Sequence, residues 1–260
     1  NVEDSHRLSI ENIQLPASVI NMLTPSLKDK PFESLALDNN EFVHSRQGID
    51  FAIECIQSNH KLKGFIWRNN SIESMYDATH LLQAVLSHPR LVIISLTHCF
   101  GENVDAYSIL RMLFASNEPF SSVIFESNSI RPGGRTEIPD FLATNPPLTY
   151  LNLENNHLDD NDAKMIANAL KRNNNLRRLD LNNNDITDIG FGALRNAVWD
   201  STSLNAMADC NHSCEIDYDI PNNWEHDGPE ENMGIKIYAL LSSRNREGTR
   251  LFSLGFRVRG

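Results

Sequence analysis

One spacing pattern limits what this chain can fold into more than any other feature. Leu148, Leu151, Leu153, Asn156 and Leu158 fall in the arrangement L-x-x-L-x-L-x-x-N-x-L, and Leu176, Leu179, Leu181, Asn184 and Ile186 repeat it 28 residues later. The same template finds Phe32, Leu35, Leu37, Asn40 and Phe42, then Leu62, Phe65, Trp67, Asn70 and Ile72. It continues with Leu91, Ile94, Leu96 and Cys99, and with Phe120, Val123, Phe125, Asn128 and Ile130. A decayed copy follows at Leu204, Met207, Asp209, His212 and Cys214. The first positions are 32, 62, 91, 120, 148, 176 and 204, with steps of 28 to 30 residues. Self-similarity at such a period is the mark of a stacked array of supersecondary units.

The period-two alternation inside each copy predicts a short strand with one buried face. The strands of successive units lie parallel in one sheet. After each strand the chain turns inward, where a side-chain amide can satisfy backbone groups that would otherwise cost about 1–3 kcal/mol each when buried unpaired. Stacking therefore predicts a structural ladder of Asn40, Asn70, Asn128, Asn156 and Asn184, with Cys99 on one rung and His212 on the last. The second half of each unit reads as helix. Asp159, Asp160, Asn161 and Asp162 supply capping groups and negative charge at a helix start. Ala163, Ile166, Ala167 and Leu170 then form one apolar face, and Lys171 and Arg172 close it. Leu81, Leu82 and Val85, and Met112 and Leu113, belong to equivalent helices. No unit can bury its apolar face alone, so neighbours must stack.

These residues resemble the ribonuclease-inhibitor-like subfamily of leucine-rich-repeat proteins, most closely in the step length and in Leu158–Leu170, which is similar to the family's helix consensus. The resemblance covers roughly residues 30 to 215. It implies an α/β fold, a right-handed leucine-rich-repeat solenoid curved into a horseshoe, with a concave parallel sheet, convex helices, and a partner protein bound inside. The expected organisation is an N-terminal cap with a degenerate repeat over 1–31, seven repeats over 32–214, and a C-terminal cap over 215–260. Leu8, Ile10, Ile13 and Leu15 read as a partial unit upstream, with Ile13 where Asn should stand, and Leu251, Leu254 and Phe256 as a partial strand downstream. The ending is also similar to a C-terminal section of large microalgal leucine-rich-repeat families.

Composition narrows function. The net charge of −11 disfavours a nucleic-acid binder, which needs cations to meet phosphate, and equally disfavours docking on an anionic membrane. A basic or mixed-charge protein partner fits it. No apolar run reaches the roughly 20 residues that span a bilayer. Four cysteines in 260 residues suit reduced thiols and a cytoplasmic protein better than a disulfide scaffold. Asn69-Asn70-Ser71 and Asn211-His212-Ser213 match the glycosylation acceptor pattern, which chance explains in a sequence this rich in Asn. The chain starts at Asn1 and so reads as a processed product or a piece of a longer protein.

Strand residues between the buried ones should line the concavity, in a central row Ala36, Ile66, Ser95, Ile124, Asn152, Asp180 and Ala208. The row before holds Ser34, Gly64, Ile93, Ser122, Tyr150, Arg178 and Ala206. The row after holds Asp38, Arg68, Thr97, Glu126, Glu154, Asn182 and Cys210. Ile66, Ile93, Ile124 and Tyr150 are expected as an exposed apolar strip, beside a charged zone of Glu126, Glu154, Arg178 and Asp180. Exposed apolar surface rimmed by charge is how an interaction site looks, so Ile66, Arg68, Ile93, Ser95, Ile124, Glu126, Tyr150, Asn152, Glu154, Arg178, Asp180 and Asn182 are the candidate protein-binding residues. Trp67 falls on a buried template position and reads as core.

Residues 215–231 carry seven carboxylates and no Lys or Arg, and with Pro221, Gly228 and Pro229 read as a solvent-facing loop. A helix over 233–246 and a strand over 251–256 are expected after it. The sequence holds no phosphate-cradling Gly-Lys loop, no His-Glu-x-x-His helix and no nucleophile elbow. Cys210, His212 and Cys214 lack the spacing of a common zinc site. No catalytic residue, metal or cofactor is expected. Two further functions remain open, both implied by the resemblance: a regulator or activator of a small GTPase, and the sensing fragment of a larger receptor.

Overall fold

A computed structural model describes residues 7–28 and 30–217. In chain order the elements are β1 (Arg7–Glu11), β2 (Gln14–Leu15), α1 (Ala17–Leu27), β3 (Ser34–Asp38), β4 (Glu41–Phe42), α2 (Ser45–Ser58), β5 (Gly64–Arg68), α3 (Met75–Leu86) and β6 (Ile93–Thr97). There follow α4 (Ala106–Ala115), β7 (Ser122–Ile124), α5 (Glu137–Ala143), β8 (Tyr150–Asn152), α6 (Asp160–Leu170), β9 (Arg178–Asp180), α7 (Asp188–Val198), α8 (Leu204–Ala208) and β10 (Glu215–Asp217). Eight strands form one sheet in the order β1-β3-β5-β6-β7-β8-β9-β10, and β2 pairs with β4 separately. All of these pairings are parallel, and equivalent residues face one another: Leu35 opposes Phe65, which opposes Ile94. Strands repeat at about 4.8 Å and packed helices at about 8–10 Å, so such a stack bends with the sheet on its inner side.

The template leucines become one continuous core. Leu35, Leu37, Phe65, Trp67, Ile94, Leu96, Val123, Phe125, Leu151, Leu153, Leu179 and Leu181 are all buried. Trp67 is fully buried, donates its indole N–H to the Asn70 carbonyl at 2.8 Å, and stacks on Phe42 at 5.8 Å between ring centroids. Helix α6 begins with a reciprocal cap: the Asp159 carboxylate accepts the N–H of Asn161 and Asp162, and the Asp162 carboxylate accepts the N–H of Asp159. Its face of Ala163, Ile166, Ala167 and Leu170 is buried, as are Leu81, Leu82 and Val85 on α3 and Leu113 on α4.

The amides after the strands tie units together. Asn40 Nδ2 donates to the Ile10 carbonyl at 2.8 Å, and Asn70 Nδ2 to that of Leu37 at 2.8 Å. Asn128, Asn156 and Asn184 donate in the same way to Leu96, Phe125 and Leu153, at 2.6, 3.0 and 2.9 Å. Asn40, Asn70, Cys99, Asn128 and Asn156 are buried, and Asn184 is half-buried. At the Cys99 rung the backbone N–H donates to Asn128 Oδ1 at 3.1 Å, so the rung is held by its neighbour's amide.

Two further rows of polar residues serve the turns. The residue before each rung is left-handed: Asn12, Asn39, Asn69, His98, Ser127, Asn155 and Asn183 all have φ between 46° and 57°. Asn tolerates that region better than most residues, which accounts for the Asn-Asn doublets at 39–40, 69–70, 155–156 and 183–184. At the other end of the unit, three residues before the first template position, Asn59, His88, Asn173 and Asn211 are buried at the helix-to-strand turn. Asn59, Asn173 and Asn211 donate to the carbonyls of Phe32, Leu142 and Leu170 at 2.7–2.8 Å, and His88 Nε2 donates to that of Asn59 at 2.9 Å.

The expected seventh copy is corrected. Leu204–Ala208 is helix α8, capped by the Ser203 hydroxyl, and the next strand of the sheet is Glu215–Asp217. Leu204 and Met207 are spaced three apart, which suits a helix as well as the template. Here the strand is anchored by a buried amide three residues ahead of the first template position, Asn211, whose Oδ1 accepts the N–H of Cys214 at 2.9 Å just as Asn173 Oδ1 accepts that of Leu176 at 2.8 Å. Cys214 thus fills the first template position. His212 is not the polar rung, and residues 215–217 are strand where a loop is expected from sequence. At the other end, Leu8 and Ile10 sit in register with Leu35 and Leu37, so the upstream partial copy contributes a full strand. The acidic stretch beyond 217, the helix over 233–246 and the strand over 251–256 lie outside the described residues.

Candidate protein-docking face

Three parallel rows of side chains cross the sheet opposite the helices. The pairings place Arg7, Ser34, Gly64, Ile93, Ser122, Tyr150, Arg178 and Glu215 in the first row. Ser9, Ala36, Ile66, Ser95, Ile124, Asn152, Asp180 and Asp217 form the second. Glu11, Asp38, Arg68, Thr97, Glu126, Glu154 and Asn182 continue as the third. Ala206, Ala208 and Cys210, expected here, lie on or just after α8 instead.

Exposure differs from residue to residue along these rows. Ile93 stands between Gly64 and Ser122 in the sheet register, and it is 38% exposed, the most open apolar side chain of the face. Ser95 stands between Ile66 and Ile124 and is fully buried. Its hydroxyl shares a hydrogen bond of 3.1 Å with that of Thr97, also buried. Asn152 and Asp180 are buried as well, at 5% and 6% exposure. Ser95, Asn152 and Asp180 are therefore corrected from surface candidates to supports: alternation places them on this face, but all three are buried there, Ser95 beneath Ile66 and Ile124. Asn152 Oδ1 accepts the N–H of Glu154 at 2.7 Å, and Asp180 Oδ1 accepts the N–H and Nδ2 of Asn182 at 3.2 and 3.0 Å. Ile66, Ile124, Tyr150, Glu126, Glu154 and Asn182 are half-buried, and Arg68 and Arg178 are exposed.

The C-terminal end of the face is a polar cluster. The Arg178 guanidinium lies 5.7 Å from the Tyr150 ring centroid and pairs with the Asp217 carboxylate of the adjacent strand. Burial pushes the Asp180 carboxyl up from its ordinary value, the charge of Asp217 adds to the rise, and the Asn182 N–H opposes it. Burial and the Asp180 charge likewise raise the Tyr150 hydroxyl. The N-terminal end is an open trough of about 540 Å³ lined by Arg7, Ser9, Glu11, Ala36, Asp38, Ile66 and Arg68. Small side chains at Ser9 and Ala36 form its floor, and Arg68 faces Asp38 at 3.7 Å on its rim.

An exposed hydrogen-bonded edge borders the third row, and sequence reasoning missed it. Asn39 Nδ2 donates to Asn12 Oδ1 at 2.7 Å, Asn69 Nδ2 to Asp38 Oδ1 at 2.9 Å, and Asn155 Nδ2 to Ser127 Oγ at 2.9 Å. These are the left-handed turn residues; the Asn doublets were the available signal.

Among the described residues no group of three or more His, Cys, Asp or Glu side chains is placed to hold a metal ion, and no helix is long and apolar enough to cross a membrane. The Cys210 thiol donates to the Ala206 carbonyl at 3.3 Å and that of Cys214 to the Glu215 carbonyl at 3.4 Å.

Residues 144–167 and 172–194 match a family model described as Leucine Rich repeat. That match, and the alternation of strand and helix along one parallel sheet, define the fold as a leucine-rich-repeat α/β solenoid. Repeats of this kind are generally protein-interaction modules. No curated protein matches the chain.

Proposed function

We propose that the chain is a protein-binding module whose partner docks on the sheet face, without catalysis. The observation that carries this reading is Ile93, held up between Gly64 and Ser122 beside half-buried Ile66, Ile124 and Tyr150 and bordered by Glu126, Glu154 and Arg178. An apolar centre with a charged rim is the anatomy of a docking surface, and Tyr and Arg are favoured anchors. The carboxylates suit a partner of basic or mixed charge, as does the net charge of −11. Steps of 28–30 residues between Phe32 and Leu176, each with a helix after its sheet strand, support the ribonuclease-inhibitor-like subfamily. Four buried cysteines, none of them in a disulfide among the described residues, suit a cytoplasmic setting.

The test compares capture from native lysate by the parent chain, by Ile93→Asp with Tyr150→Ala, and by Lys164→Glu on the exposed side of α6. The reading expects the first and third to retain the same partner and the second to lose it. Retention by all three would sink it.

A further inference from the structure

We propose that the chain forms a two-fold dimer by pairing β1 with β1 of a second copy. β1 is the end strand of the sheet: it pairs with β3, and among the described residues nothing pairs with its other edge. The direction of its backbone is settled by two contacts. The Asn12 N–H donates to the Asp38 carbonyl at 3.0 Å, and the Ile10 carbonyl accepts from Asn40 at 2.8 Å, both toward the next unit. By alternation, Arg7, Ser9 and Glu11 point their backbone N–H and C=O groups outward. An open edge of this kind is a template for another strand.

The strand complements itself. Laid antiparallel on its own copy about Ser9, Arg-Leu-Ser-Ile-Glu sets Arg7 opposite Glu11 of the second copy, Leu8 opposite Ile10, and Ser9 opposite Ser9. Opposite-charge cross-strand pairs are favourable and like-charge pairs unfavourable. Both charged pairs lie on the sheet face, where Arg7, Ser9 and Glu11 are exposed, and both apolar pairs lie on the core side, where Ile10 is buried. A symmetric interface needs this self-complementarity. Helix α1, which follows β1, suits the same contact. It carries no charged residue, only Ile20 of its eleven residues is buried, and Met22 is 71% exposed. The second copy would set its own α1 alongside.

Sedimentation velocity over a dilution series of the 260-residue chain tests this. A concentration-dependent monomer–dimer equilibrium is expected. Ser9→Pro removes an outward N–H without touching the pairing to β3 and should leave a monomer with unchanged circular dichroism. Arg7→Glu alone, or Glu11→Arg alone, turns two symmetry-related pairs repulsive and should weaken the dimer about tenfold. The double variant Arg7→Glu/Glu11→Arg should restore it. A monomer at every concentration would overturn the proposal. So would a dimer indifferent to Ser9→Pro, or single and double charge variants that behave alike.

Discussion

Asn156 joins two units through one amide: its Oδ1 accepts the backbone N–H of Asn128 at 3.1 Å, while its Nδ2 donates to the Phe125 carbonyl at 3.0 Å. It also accepts the N–H of Ile130 at 2.9 Å, so one buried side chain serves donors and acceptors of the preceding turn. Asn156→Ala leaves those groups buried without partners and should cost about 2–4 kcal/mol, read from urea unfolding. Asn184→Ala, at a half-buried rung, should cost less. Equal losses at the two positions would contradict the burial argument.

The left-handed row separates backbone effects from side-chain effects. Asn155 has φ 53° and is exposed. Asn155→Gly should change the melting temperature little, since Gly adopts that conformation freely. Asn155→Val should lower stability by about 1–3 kcal/mol, because a β-branched residue is strained there. If Gly and Val proved equivalent, the side-chain bond to Ser127 would be the larger effect and the conformational account would fail.

Asp180 gives a pH dependence with a definite sign. Its folded-state carboxyl is raised above the ordinary Asp value of 3.8 by burial. The folded state therefore binds the proton more tightly than the unfolded one, and this group's contribution to stability falls as pH rises from the unfolded to the folded pKa. The penalty is fully present above the folded pKa and absent below the unfolded value. Asp180→Asn keeps an acceptor for the Asn182 N–H and should be more stable than the parent at pH 7, with the gap closing as pH falls to about 3. A gap that widened on acidification would show that the carboxylate stabilises the fold.

The last of the described units should be releasable by itself. The Leu181 N–H donates to the Asp217 carbonyl at 2.9 Å, and the Leu153 N–H donates to that of Asp180 at 2.9 Å. Asn211→Ala removes the amide that anchors β10, so exchange of the Leu181 amide should accelerate while that of Leu153 stays protected. Parallel acceleration of both amides would mean that Asn211 supports the whole stack.

The repeat was legible in the sequence because the strand rule is short and strict: two apolar residues two positions apart, then an amide three further on. Phe65 and Trp67 before Asn70 obey it as well as Leu151 and Leu153 before Asn156. Leu204 and Met207 misled because a spacing of three is shared by the template and by a helical turn. The buried amide three residues ahead of the first template position was the better guide, and in this unit Asn211 supplies it. On the sheet face, alternation told which residues point away from the helices, but not which of them reach solvent. That depends on neighbours in other units: Ser95 disappears beneath Ile66 and Ile124, while Ile93 stands clear of Gly64 and Ser122.

Carboxyl labelling of the chain, alone and with its captured partner bound, followed by mass spectrometry, tests the docking face most directly. The account predicts that Glu126 and Glu154 on the sheet face lose reactivity in the complex while the exposed Asp140 on α5 and Asp188 on α7 keep theirs. Protection of Asp140 and Asp188 with Glu126 and Glu154 unchanged would place the partner on the helices and contradict it.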